Sequence, residues 1–317
     1  MHRYSKALFA GLVFALASPA AAQAGKICDR ACLSGITDAY LAAMAAHDPK
    51  QVPFDSKVKF TENGQVLAPG DGLWATISKL GAYKLYFNDV KAGQAGFFGT
   101  IDEGGQSGIL SLRLKVKNRK ITEVETIVAR RDMGVLHKPD DLKDKPTFSD
   151  VVPVEKRRSR EEMVRIIDNY LKALIEAKPH PELFAADCQR IENGTITALN
   201  PAGDKMGKLS CGDQLDTGVS AQLSRVRDPR FPLVDEEHGL VHVVMFFDHT
   251  GTAEPATIRY KDGETTPLVR RRFSPSSYMC SEVFKIEDGR IKQIEVVLLT
   301  VPYRMASGWP DTKKFYE

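Results

Sequence analysis

The chain is short of several features that mark common classes of protein. It has 44 Lys and Arg against 41 Asp and Glu, a net charge of only +3. Without residues 1–24, which hold Arg3 and Lys6 and no acid, 42 basic residues face 41 acidic ones. Such a balance lacks the basic footprint that neutralises nucleic-acid phosphates, so we expect no nucleic-acid partner. The sequence also lacks a Gly-x-Ser-x-Gly elbow, a glycine-rich phosphate loop and a His-Glu-x-x-His pair.

Long apolar runs are missing as well. The longest stands near the N-terminus, at residues 7–17, and eleven residues are too few for a membrane span, which needs about 20. Basic residues precede this run, and small residues at 20–24 follow it. This order is typical of a secretory signal peptide. The sequence therefore predicts a cleaved leader at 1–24 and a periplasmic or secreted protein without a membrane span.

Export permits disulfide bonds. The sequence has five cysteines, namely Cys28, Cys32, Cys188, Cys211 and Cys280. We expect Cys188 to pair with Cys211, because the two flank a predicted hairpin. Cys28 and Cys32 either pair with each other or one of them pairs with Cys280, and one thiol is left over in any case. The spacings are wider than those of zinc sites, so we expect no metal.

Residues 131–158 divide the chain into two halves, 25–130 and 159–317. The segment is rich in proline and charge and has no sustained apolar period. This composition predicts an extended, solvated linker.

The two halves resemble each other in sequence. Each opens with an amphipathic helix that carries a tyrosine, Tyr40 or Tyr170, and Glu-Asn-Gly follows 22 residues later. Residues 115–128 then match 285–298. Matching residues differ in number by 130 at the helix and by 170 here, so the second half holds about 40 extra residues between these two points. Each half reads as a helix, a turn with positive φ at Asn-Gly and alternating strands, with a short helix at 73–80 in the first half. The pattern predicts an α+β fold with helices on one face of an antiparallel sheet.

Three phrases, FTENG (60–64), GDGLW (70–74) and CQRIENG (188–194), resemble secreted tandem proteins of the NTF2-like superfamily, also called SnoaL-like. The resemblance covers nearly all of 27–305. It implies two tandem NTF2-like cone domains, each a curved antiparallel sheet with helices on its concave side around a pocket. It also implies that the halves pair through their sheets, as a pseudo-dimer within one chain, with further homo-oligomerisation left open.

The resemblance further implies a function that needs no cofactor. The superfamily includes lyases, dehydratases and isomerases that move protons on small apolar or aromatic oxygenated molecules. Their chemistry relies on a carboxyl group whose pKa is raised by an apolar pocket. The superfamily also holds non-catalytic proteins, so a module that binds a hydrophobic ligand or a protein in the periplasm is the alternative.

Several residues are candidates for acid–base chemistry. Glu125 and Glu295 each share a strand face with aliphatic residues, so each is either catalytic or bonded to a partner, and their presence in both halves favours the structural role. Glu62 lies either at the mouth of a pocket or in the cap of its turn. His242, on an apolar strand face, suits a general base, and Tyr40 a hydrogen-bond donor.

Residues without a counterpart in the other half are better candidates for binding. Trp74, Tyr83 and Tyr86 follow a glycine-rich turn, and we expect them to line the pocket, with core packing as the alternative. Asn63 of the Asn-Gly turn is a further candidate for binding, although Asn193 repeats it in the second half. His249 stands at a strand end, where we expect it to be exposed. The run Arg270-Arg271-Arg272 either binds an anionic group or forms a solvated surface.

Overall fold

A computed structural model describes residues 28–133, 136–176, 180–251, 256–268 and 274–317. The expected signal peptide and the triple-arginine run lie outside these ranges. Among the described residues, no helix is long and apolar enough to cross a membrane.

The first half folds into a helix and a six-stranded sheet. Its elements are α1 (Arg30–Ala45), β1 (Phe54–Glu62), β2 (Gln65–Val66), α2 (Leu73–Thr76), β3 (Lys79–Asp89), β4 (Gln94–Glu103), β5 (Gln106–Lys117) and β6 (Lys120–Ala129). The sheet order is β2-β1-β6-β5-β4-β3. Strands β3 to β6 form an antiparallel meander, whereas β1 pairs parallel with β6.

Two expectations about this half are wrong. The sheet is mixed and not antiparallel throughout, because the first strand, β1, lies parallel beside β6, the last strand of the meander. The short helix ends at Thr76 and not near residue 80, because Lys79 and Leu80 already pair with β4.

The connection between the halves is not wholly solvated. It contains 3₁₀ turns at Arg131–Met133, Pro139–Asp141 and Val154–Lys156, and a short helix α3 (Pro146–Ser149). Phe148 and Val152 are only 1% and 2% exposed. The expectation of an extended, solvated linker overlooked these apolar anchors, which fix the segment on the folded halves.

The second half repeats the topology of the first with additions. Its elements are α4 (Arg160–Glu176), β7 (Phe184–Glu192), β8 (Thr195–Ala198), α5 (Cys211–Asp216), β9 (Arg225–Asp235), β10 (Leu240–His249), β11 (Ala256–Arg259), β12 (Thr265–Leu268), β13 (Ser276–Glu287), β14 (Arg290–Pro302) and β15 (Phe315–Tyr316). The sheet order is β15-β9-β10-β13-β14-β7-β8, with β7 parallel to β14. The hairpin β11–β12 and the segment around α5 account for extra length in this half.

The Asn-Gly turns have the predicted conformation in both halves. Asn63 and Asn193 have φ values of 48° and 45°, and the glycines that follow them also have positive φ. Each asparagine side chain also accepts a hydrogen bond from a backbone N–H of the strand that pairs parallel with its own, from Val128 of β6 at 2.8 Å and from Leu298 of β14 at 3.0 Å. The turn thus fastens the parallel strand to the meander.

The two sheets pack against each other face to face. Helices α1 and α4 cover the opposite faces, so each sheet lies between its helix and the other sheet. Ser111 and Ser281 occupy equivalent positions in the repeat, and their Oγ atoms lie 2.8 Å apart. An approximate twofold axis therefore passes between them, and both faces of the central strands are buried.

Candidate functional site

A cavity of about 420 Å³ opens in the second half, on the face of the sheet that α4 covers. Its wall comes from α4, β7, α5, the 3₁₀ turn Val219–Gln222, β10 and β13. Most of the lining is aliphatic or aromatic, with a few polar side chains among it. A cavity of this size and composition is typical of a small-molecule site.

The same space in the first half is filled by side chains. Trp74 and Tyr40 are each at most 1% exposed, and their rings meet edge to face at 5.2 Å between centroids. The Trp74 indole N–H donates a 2.8 Å hydrogen bond to the Tyr40 hydroxyl. Trp74 therefore takes the core-packing role that was the alternative to binding, and Tyr40, expected to donate to a ligand, accepts from Trp74 within the core.

Two core positions change from apolar to ionisable between the halves. The strand registers place Arg190 of the second half where the first half has Phe60. They likewise place Glu282 where the first half has Leu112. The cavity of the second half therefore borders two ionisable groups, Arg190 and Glu282, at positions where the first half has the apolar Phe60 and Leu112.

Glu282 on β13 is the least satisfied of these groups. It is 2% exposed, and among the described residues its Oε2 has no hydrogen-bond partner. Burial and, secondarily, the nearby Glu192 carboxylate raise the pKa of Glu282 to about 8. The carboxyl group is therefore mostly protonated at pH 7 and is able to donate a hydrogen bond.

Arg190, in contrast, has several hydrogen-bond and ion-pair partners. Its guanidinium donates to Thr197 Oγ1 at 3.1 Å and to Gln214 Oε1 at 2.6 Å. It also pairs with the Glu192 carboxylate at 3.6 Å. Arg190 and Glu192 cancel each other's charge, so the Arg190 charge does not hold Glu282 ionised.

His249 lies at the other end of the cavity. Its Nδ1 is 3.4 Å from the Gln222 carbonyl oxygen, its ring contacts Tyr278 at 4.6 Å between centroids, and its Nε2 has no partner among the described residues. The expectation of an exposed His249 is wrong, because the 3₁₀ turn that carries Ser220 folds over this strand end. Burial lowers the pKa of His249, so the ring is neutral at pH 7.

The predicted disulfide Cys188–Cys211 is confirmed, and it fastens α5 to β7. Cys211 itself lines the cavity. Of the two alternatives for the remaining cysteines, the structure has Cys28 bonded to Cys32. Cys280 is a buried free thiol.

Glu125 lies between the two sheets and not in the cavity. Its carboxylate accepts hydrogen bonds from Arg113 of its own half, at 2.9 Å, and from Arg230 of the other half, at 3.2 Å. Burial alone would raise the pKa of Glu125, but the two guanidinium groups outweigh it and hold the pKa at about 2. This permanent anion is the bonded carboxylate that we weighed against a catalytic one.

Glu295, Tyr83 and His242 lie in the same layer between the sheets. The Tyr83 hydroxyl donates to the Glu295 carboxyl at 2.7 Å, and burial raises the pKa of Glu295 to about 7. His242 Nε2 lies 2.7 Å from Ser281 Oγ, and burial lowers the pKa of His242 to about 3. None of the three lines the cavity, because they stand on the opposite face of the strands.

Glu62 and Tyr86 also have bonded partners. Glu62 accepts a 2.7 Å hydrogen bond from the backbone N–H of Leu73, at the start of α2, and pairs with Arg130 at 3.2 Å. Tyr86 donates to Asp38 at 2.6 Å. Glu62 thus caps the start of α2 and not its own Asn-Gly turn, and it does not line the cavity.

A cluster of Asp235, Glu237 and His238 has the spacing of metal ligands. Arg30 already occupies it, pairing with Asp235 at 2.7 Å and with Glu237 at 2.9 Å. The His238 ring lies 3.0 Å from Asp235. Arg30 thus already binds both carboxylates, and we assign no metal to the cluster.

Solved structures with some likeness each cover one part of the chain. An NTF2-like protein of unknown function from Cytophaga hutchinsonii is 9% identical and covers 32% of this chain and 92% of its own, with a TM-score of 0.27. AclR, a putative hydroxylase from Streptomyces galilaeus, is 14% identical, covers 40% of this chain and 92% of its own, and has a TM-score of 0.27. A hypothetical protein with a ketosteroid isomerase-like fold from Catenulispora acidiphila, in complex with trimethylamine, is 13% identical, covers 29% and 82%, and scores 0.23. Scores this low carry no argument about this chain.

No curated protein matches the sequence. One family does match, over residues 27–146 and 156–298, which is most of the chain. The two matched segments correspond to the two repeated halves with their helices and sheets. The chain therefore belongs to the family described as "Domain of unknown function (DUF8021)".

Proposed function

We propose that the second half binds a small, largely apolar oxygenated molecule and exchanges a proton with it through Glu282. The observation that carries the proposal is a buried carboxyl group in the cavity wall whose Oε2 finds no partner in the part of the chain that the structure describes. A group in this state costs folding free energy, and such a cost is typical of functional sites.

The chemistry follows from the protonation states. At pH 7 Glu282 is mostly neutral, so it is able to donate its proton to a carbonyl or hydroxyl oxygen of the bound molecule. The neutral His249, at the opposite end of the cavity, is too far from Glu282 to act at the same reacting atoms. Proton exchange through one carboxyl group of raised pKa is the chemistry of isomerases, dehydratases and lyases that need no cofactor.

Non-catalytic ligand binding is the second candidate. The mainly apolar wall favours it, and so does Arg190, whose guanidinium is already bonded to other side chains. Both features suit binding of a hydrophobic molecule without a reaction. The two candidates predict different outcomes in one experiment.

The experiment is a screen in D₂O. The purified protein is incubated with a mixed library of steroids, terpenoids and lignin-type aromatic dimers, and products are separated and weighed by mass spectrometry. Loss of water indicates a dehydratase and loss of formaldehyde a lyase. A new retention time with deuterium uptake indicates an isomerase, and co-elution without change indicates a binding protein.

Two variants test the role of Glu282 in that screen. Glu282→Leu introduces the residue that the first half has at this position, so we expect it to fold and to be inactive. Glu282→Gln retains a hydrogen-bond donor without an exchangeable acid, so we expect it to bind but not to react. Wild-type turnover in both variants would show that Glu282 is not the acid.

We also propose that each half is an NTF2-like domain, with boundaries near 25–130 and 159–317, and that the protein is exported. The shared topology and the Asn-Gly turns support the first point. The two disulfides support the second, because disulfides persist in oxidising compartments.

A further inference from the structure

Three buried polar atoms around the cavity lack a partner among the described residues: Glu282 Oε2, His249 Nε2 and Ser220 Oγ. All three residues line the cavity. Buried polar atoms are nearly always hydrogen-bonded, so three around one cavity indicate that a ligand completes them.

These atoms lie at two separate ends. Glu282 is the cross-strand partner of Val243 on β10. His249 follows Val243 by six residues on the same strand, which is about 20 Å along an extended backbone. Ser220 belongs to the His249 end, because the His249 ring contacts the Gln222 carbonyl two residues away.

The wall between the two ends is apolar. The strand register places Phe247 and Leu298 between the two ends, and Leu174 and Leu223 also line the cavity. A ligand that satisfies both ends therefore has an apolar middle.

The two ends differ in what they offer. Glu282 is protonated at pH 7 and presents a donor, which a carbonyl oxygen accepts. His249 directs Nδ1 to a carbonyl oxygen, so Nδ1 carries the proton of the neutral ring and Nε2 is left as an acceptor. A hydroxyl group donates to such an acceptor, and the Ser220 hydroxyl is able to bond to it as well.

From this arrangement we infer that the ligand is an elongated molecule with a carbonyl group at the Glu282 end, an apolar middle and a hydroxyl group at the His249 end. The inference rests on the proposed function, because it describes the molecule with which Glu282 exchanges a proton.

The test compares two series of probes by calorimetry at pH 7. One series consists of straight-chain methyl ketones of increasing length, and the other carries a hydroxyl group on the far carbon of the same chains. We expect the hydroxyl group to tighten binding about five- to tenfold at the chain length that spans the cavity, and not in shorter chains.

Variants then show which residue binds each end of the ligand. His249→Phe should remove the gain from the hydroxyl group, so that a hydroxyketone and the plain ketone of the same length bind equally tightly to this variant. Ser220→Ala serves as a second variant at the same end if His249→Phe does not fold. Glu282→Leu should weaken both series alike.

The outcomes separate the two proposals. If plain ketones bind in a Glu282-dependent way and the hydroxyl group adds nothing at any length, the inference is overturned and the proposed function stands. The same holds if the gain survives in both His249→Phe and Ser220→Ala. If no probe of either series binds, both are overturned.

Discussion

At the residue scale, Glu282 makes the protein less stable than it need be. An unpartnered buried polar group costs about 1–3 kcal/mol, and leucine is accommodated at the equivalent position of the first half. We expect Glu282→Leu to raise the free energy of unfolding by about 1–3 kcal/mol at pH 7, measured by urea denaturation. Glu161→Gln on the exposed side of α4 is the matched control, with a change below about 0.5 kcal/mol. Destabilisation by Glu282→Leu would mean that the carboxyl has a partner.

Glu295 predicts a pH dependence of stability. Its pKa is raised by burial to about 7 in the folded protein, against an ordinary 4.5. Between these values the folded state holds more protons than the unfolded one, so the contribution to stability is full below pH 4.5 and is lost as pH rises through 7. We expect Glu295→Gln to remove this decline. The check is the difference in unfolding free energy between wild type and variant from pH 4 to 8, and a flat difference would be inconsistent with the raised pKa.

At the scale of elements, the Cys188–Cys211 bond determines how firmly α5 closes the cavity. The bond closes a loop with a sequence separation of 23, and such a loop is worth about 3 kcal/mol. We expect Cys188→Ala with Cys211→Ala to lose about that much stability and also to weaken binding of the ketone probes, because Gln214 and Leu215 of α5 line the wall.

The second disulfide is the control for this prediction. Cys28 and Cys32 are only four residues apart and lie at the start of α1, far in sequence from the cavity wall. We expect Cys28→Ala with Cys32→Ala to cost less stability and to leave probe binding unchanged. Equal losses of binding in both double variants would show that α5 does not depend on its disulfide.

Strand faces explain why the sequence led to His242 and not to His249. On β10 both faces are apolar, because one packs on α4 and the other on the first sheet. Periodicity alone does not distinguish two buried faces. A residue-by-residue comparison of the two halves does distinguish them, because Glu282 replaces Leu112 and Arg190 replaces Phe60 at equivalent positions. Both replacements are visible in the sequence, at residue-number differences of 170 and 130.

At the scale of the whole molecule, the two halves share a topology but differ in their interiors. Trp74 and Tyr40 fill the space in the first half that forms the cavity in the second, and the first sheet covers the face of the second sheet opposite the cavity. The repeat, the order of elements and the Asn-Gly turns could be predicted from the sequence, because they depend on local patterns. The polar layer between the sheets could not, since its Glu125–Arg230 and Tyr83–Glu295 contacts join residues more than 100 positions apart.

This pairing predicts a monomer. The sheet faces through which two such units meet are already buried within one chain. We expect light scattering to give a mass no greater than the 35.1 kDa of the full chain. A stable dimer would show that a further surface mediates assembly, contrary to the internal pairing.

The central claim, a protonated and unpartnered Glu282 in the wall of the second cavity, is tested most directly by carboxyl ¹³C NMR. The protein is labelled at the glutamate side chains and titrated, and the Glu282→Gln variant assigns the resonance. We predict that this resonance titrates near pH 8, as burial beside Glu192 requires. Titration near the ordinary 4.5 would show that Glu282 is ionised at neutral pH, and the proposed proton donor would not exist.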